Sequence, residues 1–438
     1  MKLSRYVRCI EESNEFIIYN TVNHSIIQMP KEAICKGELL DVLDDDSISA
    51  LREMGFLEDT DDSIANNISS FFLNSKKLFI SIELNLSCNL RCPYCYQAGE
   101  HNGKNISVDD LKQLIVYIKK VYDLSPFEDL YVKILGGEPT LVWSRFDFIH
   151  QEVACACKEL NVNYHLLVDT NGTLIEQLVT LDNYNSLLFT IPLTYQKCHD
   201  KVRFDSKGNG TYSRILTNIN ILKNKLPEAK IVLRYNVDQN NILYFKNFLL
   251  DIKSKLSFMP LVSVNYTAEL NGSEQFENPL SYRDFIEWSS TQAIDDFIDT
   301  SFPVTVSPII SIEECQFRSK YSLKLFSDGT IGRCAMDFFK KERIHIADLV
   351  ATLTTGNTFI EDKANQSLIA EKECMNCDYI FLCGGTNKLP CIKALDSNLC
   401  KDRVFSINLE QFLKRYIKAQ NDGLDNHFVV FNDGESYR

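Results

Sequence analysis

Leu78-Phe-Ile-Ser-Ile-Glu-Leu-Asn-Leu86-Ser-Cys88-Asn-Leu-Arg-Cys92-Pro-Tyr-Cys95 joins a β-rich apolar run directly to three closely spaced cysteines. The run reads as a strand over 78–86. Five more strand-like runs follow, near 130–135, 164–169, 187–193, 230–237 and 261–267, with helical patterns between them. Six such alternations from Leu78 to about Phe297 are the mark of a parallel sheet with crossover helices. In the first helix Ser107 caps the start, Asp110 lies in the first turn, and Leu111, Leu114, Ile115 and Ile118 make one apolar face. Polar and cysteine motifs fall at strand carboxyl ends, so the expected fold is α/β, a partial (β/α)6 barrel whose post-strand loops build the site. A doubly wound sheet fits the same pattern.

Outward from this core, residues 1–75 form a candidate N-terminal module. Strand-like segments Glu15–Asn20 and Ser25–Met29 flank turn residues Asn23 and His24. Ser47 is the expected cap of a following helix with Ile48, Leu51 and Met54 on its apolar side and Gly55 as its stop. Glu58–Asn74 reads as a linker. The barrel is expected over 76–300, and a cysteine-punctuated region with a closing helix near 406–420 over 301–438.

The chain has 438 residues, 45% of them hydrophobic and 24% charged, which is ordinary globular composition. Its net charge of -13 and lack of a basic run argue against a nucleic-acid partner. Residues 1–70 hold 6 Lys and Arg against 14 Asp and Glu, a balance of -8 that suits either a basic peptide or a solvated surface. The N-terminus has no continuous apolar stretch, so neither a secretory signal nor a membrane anchor is expected, and the cytoplasm is the expected location. In a reducing compartment, fifteen cysteines in clusters favour metal ligation over disulfides.

Cys88, Cys92 and Cys95 make a C-x3-C-x2-C loop. Three thiolates on a four-iron cubane leave one iron open to a ligand from outside the protein. Structural zinc normally takes four protein ligands, and the loop offers three. The motif resembles that of the radical S-adenosylmethionine (SAM) superfamily, C-x3-C-x-aromatic-C, with Tyr94 as the aromatic. The resemblance implies a radical SAM barrel with a 4Fe-4S cluster on the three cysteines, and SAM chelating its free iron through amino and carboxylate groups.

It also implies that Tyr94 and Tyr96 flank the adenine. Gly136-Gly137-Glu138-Pro139 matches the second signature of the superfamily, which binds the SAM amino group; glycine permits close backbone approach and an acceptor suits an ammonium. Asp169-Thr170-Asn171-Gly172 and His199-Asp200-Lys201-Val202-Arg203 resemble later family segments. Arg203 takes the position whose guanidinium contacts the SAM carboxylate. Thr190 is the candidate hydroxyl contact, although Thr190-Ile-Pro-Leu-Thr-Tyr departs from the usual Ser-x-Asp-Gly form. Arg234 and Asn236 resemble another recurring polar position; structural hydrogen bonding serves equally well there.

A second cysteine field runs Cys315, Cys334, Cys374-x2-Cys377-x5-Cys383, Cys391 and Cys400. It resembles the SPASM extension of radical SAM enzymes, which carries two auxiliary 4Fe-4S clusters, and Phe326-Ser-Asp-Gly-Thr-Ile-Gly-Arg-Cys334 follows its hairpin before a ligand cysteine. The resemblance implies one cluster on Cys374, Cys377, Cys383 and Cys400, and another on Cys315, Cys334 and Cys391. The second set is one thiolate short. The usual C-x3-C step is here stretched to Cys383-x7-Cys391, and zinc sites are the rival reading. Cys9, Cys35, Cys155, Cys157 and Cys198 read as buried or incidental thiols.

The resemblance as a whole implies oxidative modification of a peptide or protein side chain; the N-terminal module, which resembles precursor-recognition elements of such enzymes, favours a ribosomally made precursor peptide, with a thioether or carbon-carbon crosslink among the expected products. An electron donor such as flavodoxin or ferredoxin would feed the cluster. The N-terminal module could bind an extended leader by strand addition, or serve packing. An anaerobic sulfatase maturase that makes formylglycine is the alternative enzyme; an iron-sulfur electron carrier or a zinc-dependent binding protein is the alternative without turnover.

Overall fold

The computed structural model describes residues 1–12, 14–23, 25–35, 38–39, 43–61, 76–95, 97, 103–267, 280–302, 321–333, 342–353, 376–378, 380, 410, 413–415 and 417. The parallel strands are β6 (Lys77–Glu83), β7 (Asp129–Leu135), β8 (Asn163–Asp169), β9 (Ser186–Pro192), β10 (Lys230–Val237) and β11 (Leu261–Tyr266). Before them come β1 (Val7–Glu12), β2 (Glu15–Asn20), β3 (Ile26–Pro30) and the short pair β4 (Ile34–Cys35) and β5 (Glu38–Leu39). Strands β6 to β11 lie side by side in chain order, and every neighbouring pair is parallel. A doubly wound sheet reverses its strand order at a switch point. None occurs here, so all crossovers wind the same way and the helices share one face, as in an open, partial barrel.

The alternation within the strands shows which face this is. In β10, Ile231, Leu233, Tyr235 and Val237 are buried, whereas Val232, Arg234 and Asn236 are only partly so. Tyr235 packs on Phe245 and Phe248 of the helix Phe245–Lys255, which places the buried set under the helices. Arg234 and Asn236 therefore face the opposite, concave side. The first crossover helix runs from Val108 to Leu124, its start capped by Ser107, which accepts from the Asp110 N–H at 3.0 Å.

One edge of the sheet is extended from far along the chain. β12 (Leu323–Leu325) pairs parallel to β6, Leu323 opposite Ile80 and Leu325 opposite Ile82. It turns through Phe326–Gly329 into antiparallel β13 (Thr330–Gly332), which pairs with β14 (Ile344–His345). The hairpin expected before Cys334 is thus part of the barrel sheet. Within the expected closing helix the described residues 410, 413–415 and 417 are helical, and Leu413 and Ile417 enter the main core.

β1, β2 and β3 form a three-stranded antiparallel sheet. The sequence reading missed β1, whose segment buries only Val7 and Ile10. Both faces of this sheet are covered. Ile10, Ile17 and Tyr19 join the main core, while Val7, Ile18 and Met29 pack with Leu51, Phe56 and Leu57. The helix Asp45–Glu53 is capped by Asp44, which accepts from Ser47 N–H at 2.7 Å; Ser47 is the capped residue rather than the cap. Its end is as expected: Gly55 has φ +71°, and Gly55 and Phe56 donate back to the Arg52 and Leu51 carbonyls. Among the described residues no helix is long and apolar enough to cross a membrane.

Candidate active site at the carboxyl ends of the parallel strands

The loop carrying Cys88, Cys92 and Cys95 leaves β6 at its carboxyl end and is held from two sides. Arg91 N–H donates to Phe204 O at 3.0 Å, and Leu90 bridges Asp205. On the other side Asn89 donates to Thr173 Oγ1 at 2.8 Å and accepts from Asn171 Nδ2 at 2.7 Å. Asn171 also reaches Cys88 Sγ at 3.8 Å. The two weaker motifs, Asp169–Gly172 and His199–Arg203, thus lie in or beside the segments that hold the loop. Burial pushes the Cys88 thiol up, and that of Cys95 to about 11, with the neighbouring cysteines adding to both shifts. A nearby cation would favour the thiolates of Cys88 and Cys95 against this burial, which is the donor chemistry of a metal cluster.

Gly136 and Gly137 follow β7 and lie against the start of this loop. Gly137 N–H donates to Asn85 O, and Glu138 N–H to Ser87 O, both at 2.8 Å. A Cβ on Gly136 would stand 2.4 Å from Asn85 Oδ1, and one on Gly137 2.2 Å from Ser87 O. The glycines are therefore required by backbone approach between the two loops. Glu138 is fully buried, and its carboxylate accepts from Thr140 N–H, Thr140 Oγ1, Thr170 Oγ1 and Asn171 N–H. Burial raises its pKa and these bonds oppose the rise. The carboxylate clamps the loops after β7 and β8 together.

Arg203 is buried and donates to Tyr94 Oη at 3.0 Å; Tyr94 also bonds the Asn236 side chain. Thr190 stands opposite Asp169 in the sheet register, and its carbonyl accepts from Thr170 N–H. Asp169 pairs with Lys133 at 3.0 Å on the concave side. Among the described residues, six of the buried polar atoms without a hydrogen-bond partner lie at this end: Asn85 Oδ1, Asp169 Oδ1, Thr194 Oγ1, Arg203 Nε, Arg234 Nε and Thr267 Oγ1. All six belong to strands β6 and β8 to β11 or to the loops after them. Acceptors and guanidinium donors so arranged fit a ligand bearing both an amine and a carboxylate, as SAM does.

His199 is also buried here, but as a brace. Its Nδ1 accepts from Thr194 N–H at 3.3 Å, so the proton is on Nε2, 3.2 Å from Thr211 Oγ1. Burial, aided by Arg203, holds its pKa well below the ordinary value. The unfolded chain takes up this proton below about pH 6.5 while the folded chain does not, so this contribution to stability is full above that pH and declines as pH falls. In urea unfolding between about pH 5 and 7, His199→Gln is expected to make the pH dependence shallower, by at most about 1.4 kcal/mol per pH unit.

Tyr96, Cys315, Cys334, Cys374, Cys383, Cys391 and Cys400 lie outside the described residues. Cys377 is half-buried beside Asp378, which pairs with Arg5 and Arg8 of the N-terminal segment. Cys155 is exposed and Cys157 buried, on different sides of their helix.

Residues 82–248 match the model of the Radical SAM superfamily. These residues form a radical SAM domain. The chain is 27% identical over 363 residues to the cysteine-type anaerobic sulfatase-maturating enzyme of Clostridium novyi (strain NT), covering 76% of this chain and 92% of the relative. It is 22% identical over 251 residues to the 7,8-dihydro-6-hydroxymethylpterin dimethyltransferase of Methanocaldococcus jannaschii, covering 55% and 47%. Among solved structures, native anSMEcpe with bound AdoMet and Cp18Cys peptide aligns with TM-score 0.58 and 18% identity, over 80% of this chain and 99% of its own. A radical SAM domain makes the chain an enzyme and implies SAM and a 4Fe-4S cluster as its cofactors.

Proposed function

We propose that this enzyme cleaves SAM reductively and oxidises or crosslinks a side chain of a ribosomally made peptide. The carrying observation is the convergence of the three-cysteine loop, the glycine pair and Arg203 at one end of the sheet, among buried polar atoms that lack partners. In this reading Cys88, Cys92 and Cys95 hold the cluster. Tyr94, Tyr96, Gly136, Gly137, Thr190 and Arg203 contact SAM, and Glu138 acts through the loops it clamps. When bound, the cofactors supply a radical able to remove hydrogen from carbon. The chain's part is to hold that radical's target on the concave side and keep water away.

The C-terminal cysteines would hold two auxiliary clusters, with a flavodoxin or ferredoxin as donor, in a reducing cytoplasm. Residues 1–75 are assigned to leader recognition, 76–300 to the barrel and 301–438 to the cluster-bearing extension. The sulfatase-maturase structure covers 99% of its own chain but 80% of this one, so about a fifth of this chain has no counterpart there. Among the described residues β1 and β3 are the two edges of the sheet, each paired only with β2, and β3 could take an extended leader at its edge. A second reading, formylglycine formation, is favoured by the 27% identity to the Clostridium novyi enzyme.

Anaerobically reconstituted protein with dithionite and SAM is expected to yield 5'-deoxyadenosine. A photo-crosslinker in place of the exposed Gln28 on β3 is expected to capture the leader of a short peptide encoded beside the gene. That peptide should lose hydrogen atoms in pairs. An aldehyde on a sulfatase-type cysteine peptide would instead establish the second reading, and iron without 5'-deoxyadenosine would leave only an electron carrier.

A further inference from the structure

Arg203 carries a positive charge into the interior: it is 5% exposed, and no carboxylate of the described residues pairs with it. Buried charges normally have a partner. Its backbone is fixed on both sides, since its N–H donates to His199 O at 2.8 Å and its carbonyl accepts from Thr211 Oγ1 at 2.8 Å. The guanidinium makes one hydrogen bond among the described residues, from Nη1 to Tyr94 Oη at 3.0 Å, and its Nε is buried without a partner. With Nη1 engaged, the edge left for an anion is Nε with Nη2, a side-on fork that matches a carboxylate.

Tyr94 lies between Cys92 and Cys95, at the position where the motif asks for an aromatic ring and no more. A ring that packs on adenine needs no hydroxyl. The hydroxyl here has a use of its own, because it accepts from a guanidinium that no other side chain of the described residues holds. An arginine side chain turns about several bonds, so without this contact its fork would be spread over several directions. The contact is not needed to attach the cysteine loop, which is already joined to the same segment by Arg91 N–H on Phe204 O at 3.0 Å and by the bridge of Leu90 to Asp205.

We infer that the Tyr94 hydroxyl is a positioning group for Arg203: it holds the guanidinium by Nη1 and leaves the Nε edge for the SAM carboxylate, while the ring of the same residue serves the adenine. The inference rests on the reading of Arg203 as the carboxylate contact. One residue of the cysteine loop then answers to two parts of the ligand, by its ring directly and by its hydroxyl through Arg203.

The test compares two ligands by equilibrium dialysis on anaerobically reconstituted, unreduced holoenzyme: SAM, and S-adenosylmethioninamine, which lacks only the carboxylate. Tyr94→Phe removes the hydroxyl and keeps the ring. It is expected to weaken SAM binding roughly tenfold, the order for one hydrogen bond to a charged group, and to leave binding of the amine ligand within about twofold. Arg203→Leu should weaken SAM further and the amine ligand little. A hydroxyl that merely braced the loop would weaken both ligands alike, and that result in iron-replete Tyr94→Phe protein would overturn the inference, as would an unchanged SAM affinity. Equal losses of both ligands in Arg203→Leu would overturn it together with the reading it rests on.

Discussion

Replacing Cys88, Cys92 and Cys95 together by Ala is expected to abolish reductive SAM cleavage while iron remains on the C-terminal cysteines. The geometry explains why the protein should survive. The loop is held by Arg91 N–H on Phe204 O, by Asn89 on Thr173 and by Gly137 on Asn85, and none of these bonds uses a thiol. The substitutions also relieve the burial of two thiols whose ionisation the site opposes. Loss of activity in a folded protein then reports on the cluster alone. The measurements are iron and sulfide content, thermal unfolding, and 5'-deoxyadenosine by chromatography. Undiminished 5'-deoxyadenosine would remove the assignment of these three residues.

Among the described glycines, Gly137→Ala should be the most damaging substitution. The new carbon would stand 2.2 Å from Ser87 O, 2.5 Å from Ser87 C and 2.6 Å from Leu86 O, all backbone atoms in the turn that delivers Cys88. Backbone cannot rotate aside as a side chain can, so the loops after β6 and β7 must separate. Overpacking of this kind costs about 1–3 kcal/mol, and displacement of a reacting group by about 1 Å costs roughly a hundredfold in rate. A lowered unfolding temperature with SAM cleavage down by about two orders of magnitude is the expected result. A variant with wild-type SAM cleavage would show that the two loops tolerate separation.

The barrel was legible because its strands obey period two over long runs. The segments read near 130–135, 164–169 and 230–237 lie within a residue of β7, β8 and β10. β1 was not legible: its segment, Val7-Arg-Cys-Ile-Glu-Glu, buries two residues and carries three charges, so no alternation announces it. Asp44 and Ser47 are both of capping type, and only backbone geometry shows that Asp44 is the cap. The cysteine loop and Gly136–Glu138 could be read as motifs, since the glycines and thiols are demanded locally. The buried cluster of Glu83 with Gln97, Lys324 and Ser327 could not, because its partners come from 14 to 244 residues away and no pattern in the sequence joins them to Glu83. Tyr94 and Arg203 could each be read from a motif, but not their mutual hydrogen bond, which spans 109 residues. Glu138 suggested a partner for an amine, whereas its buried carboxylate is occupied by four donors of the chain itself.

The pairing of β12 with β6 has a consequence for how the protein is made. Phe79 and Ser322, joined by a hydrogen bond at 2.9 Å, are 243 residues apart. At roughly 5–20 residues per second, a ribosome needs on the order of 10 to 50 seconds to travel between them. Throughout that interval β6 presents an unpaired edge, and Glu83 lacks Lys324 and Ser327. An open apolar strand edge is a template for association with other chains, and flanking charge is a common protection. Lys76 and Lys77 stand at the head of β6, where such protection is needed. Nascent chains halted before residue 320 should therefore aggregate or occupy chaperones, and the loop carrying Cys88, Cys92 and Cys95 gains its full support only once residues 322–327 have been made.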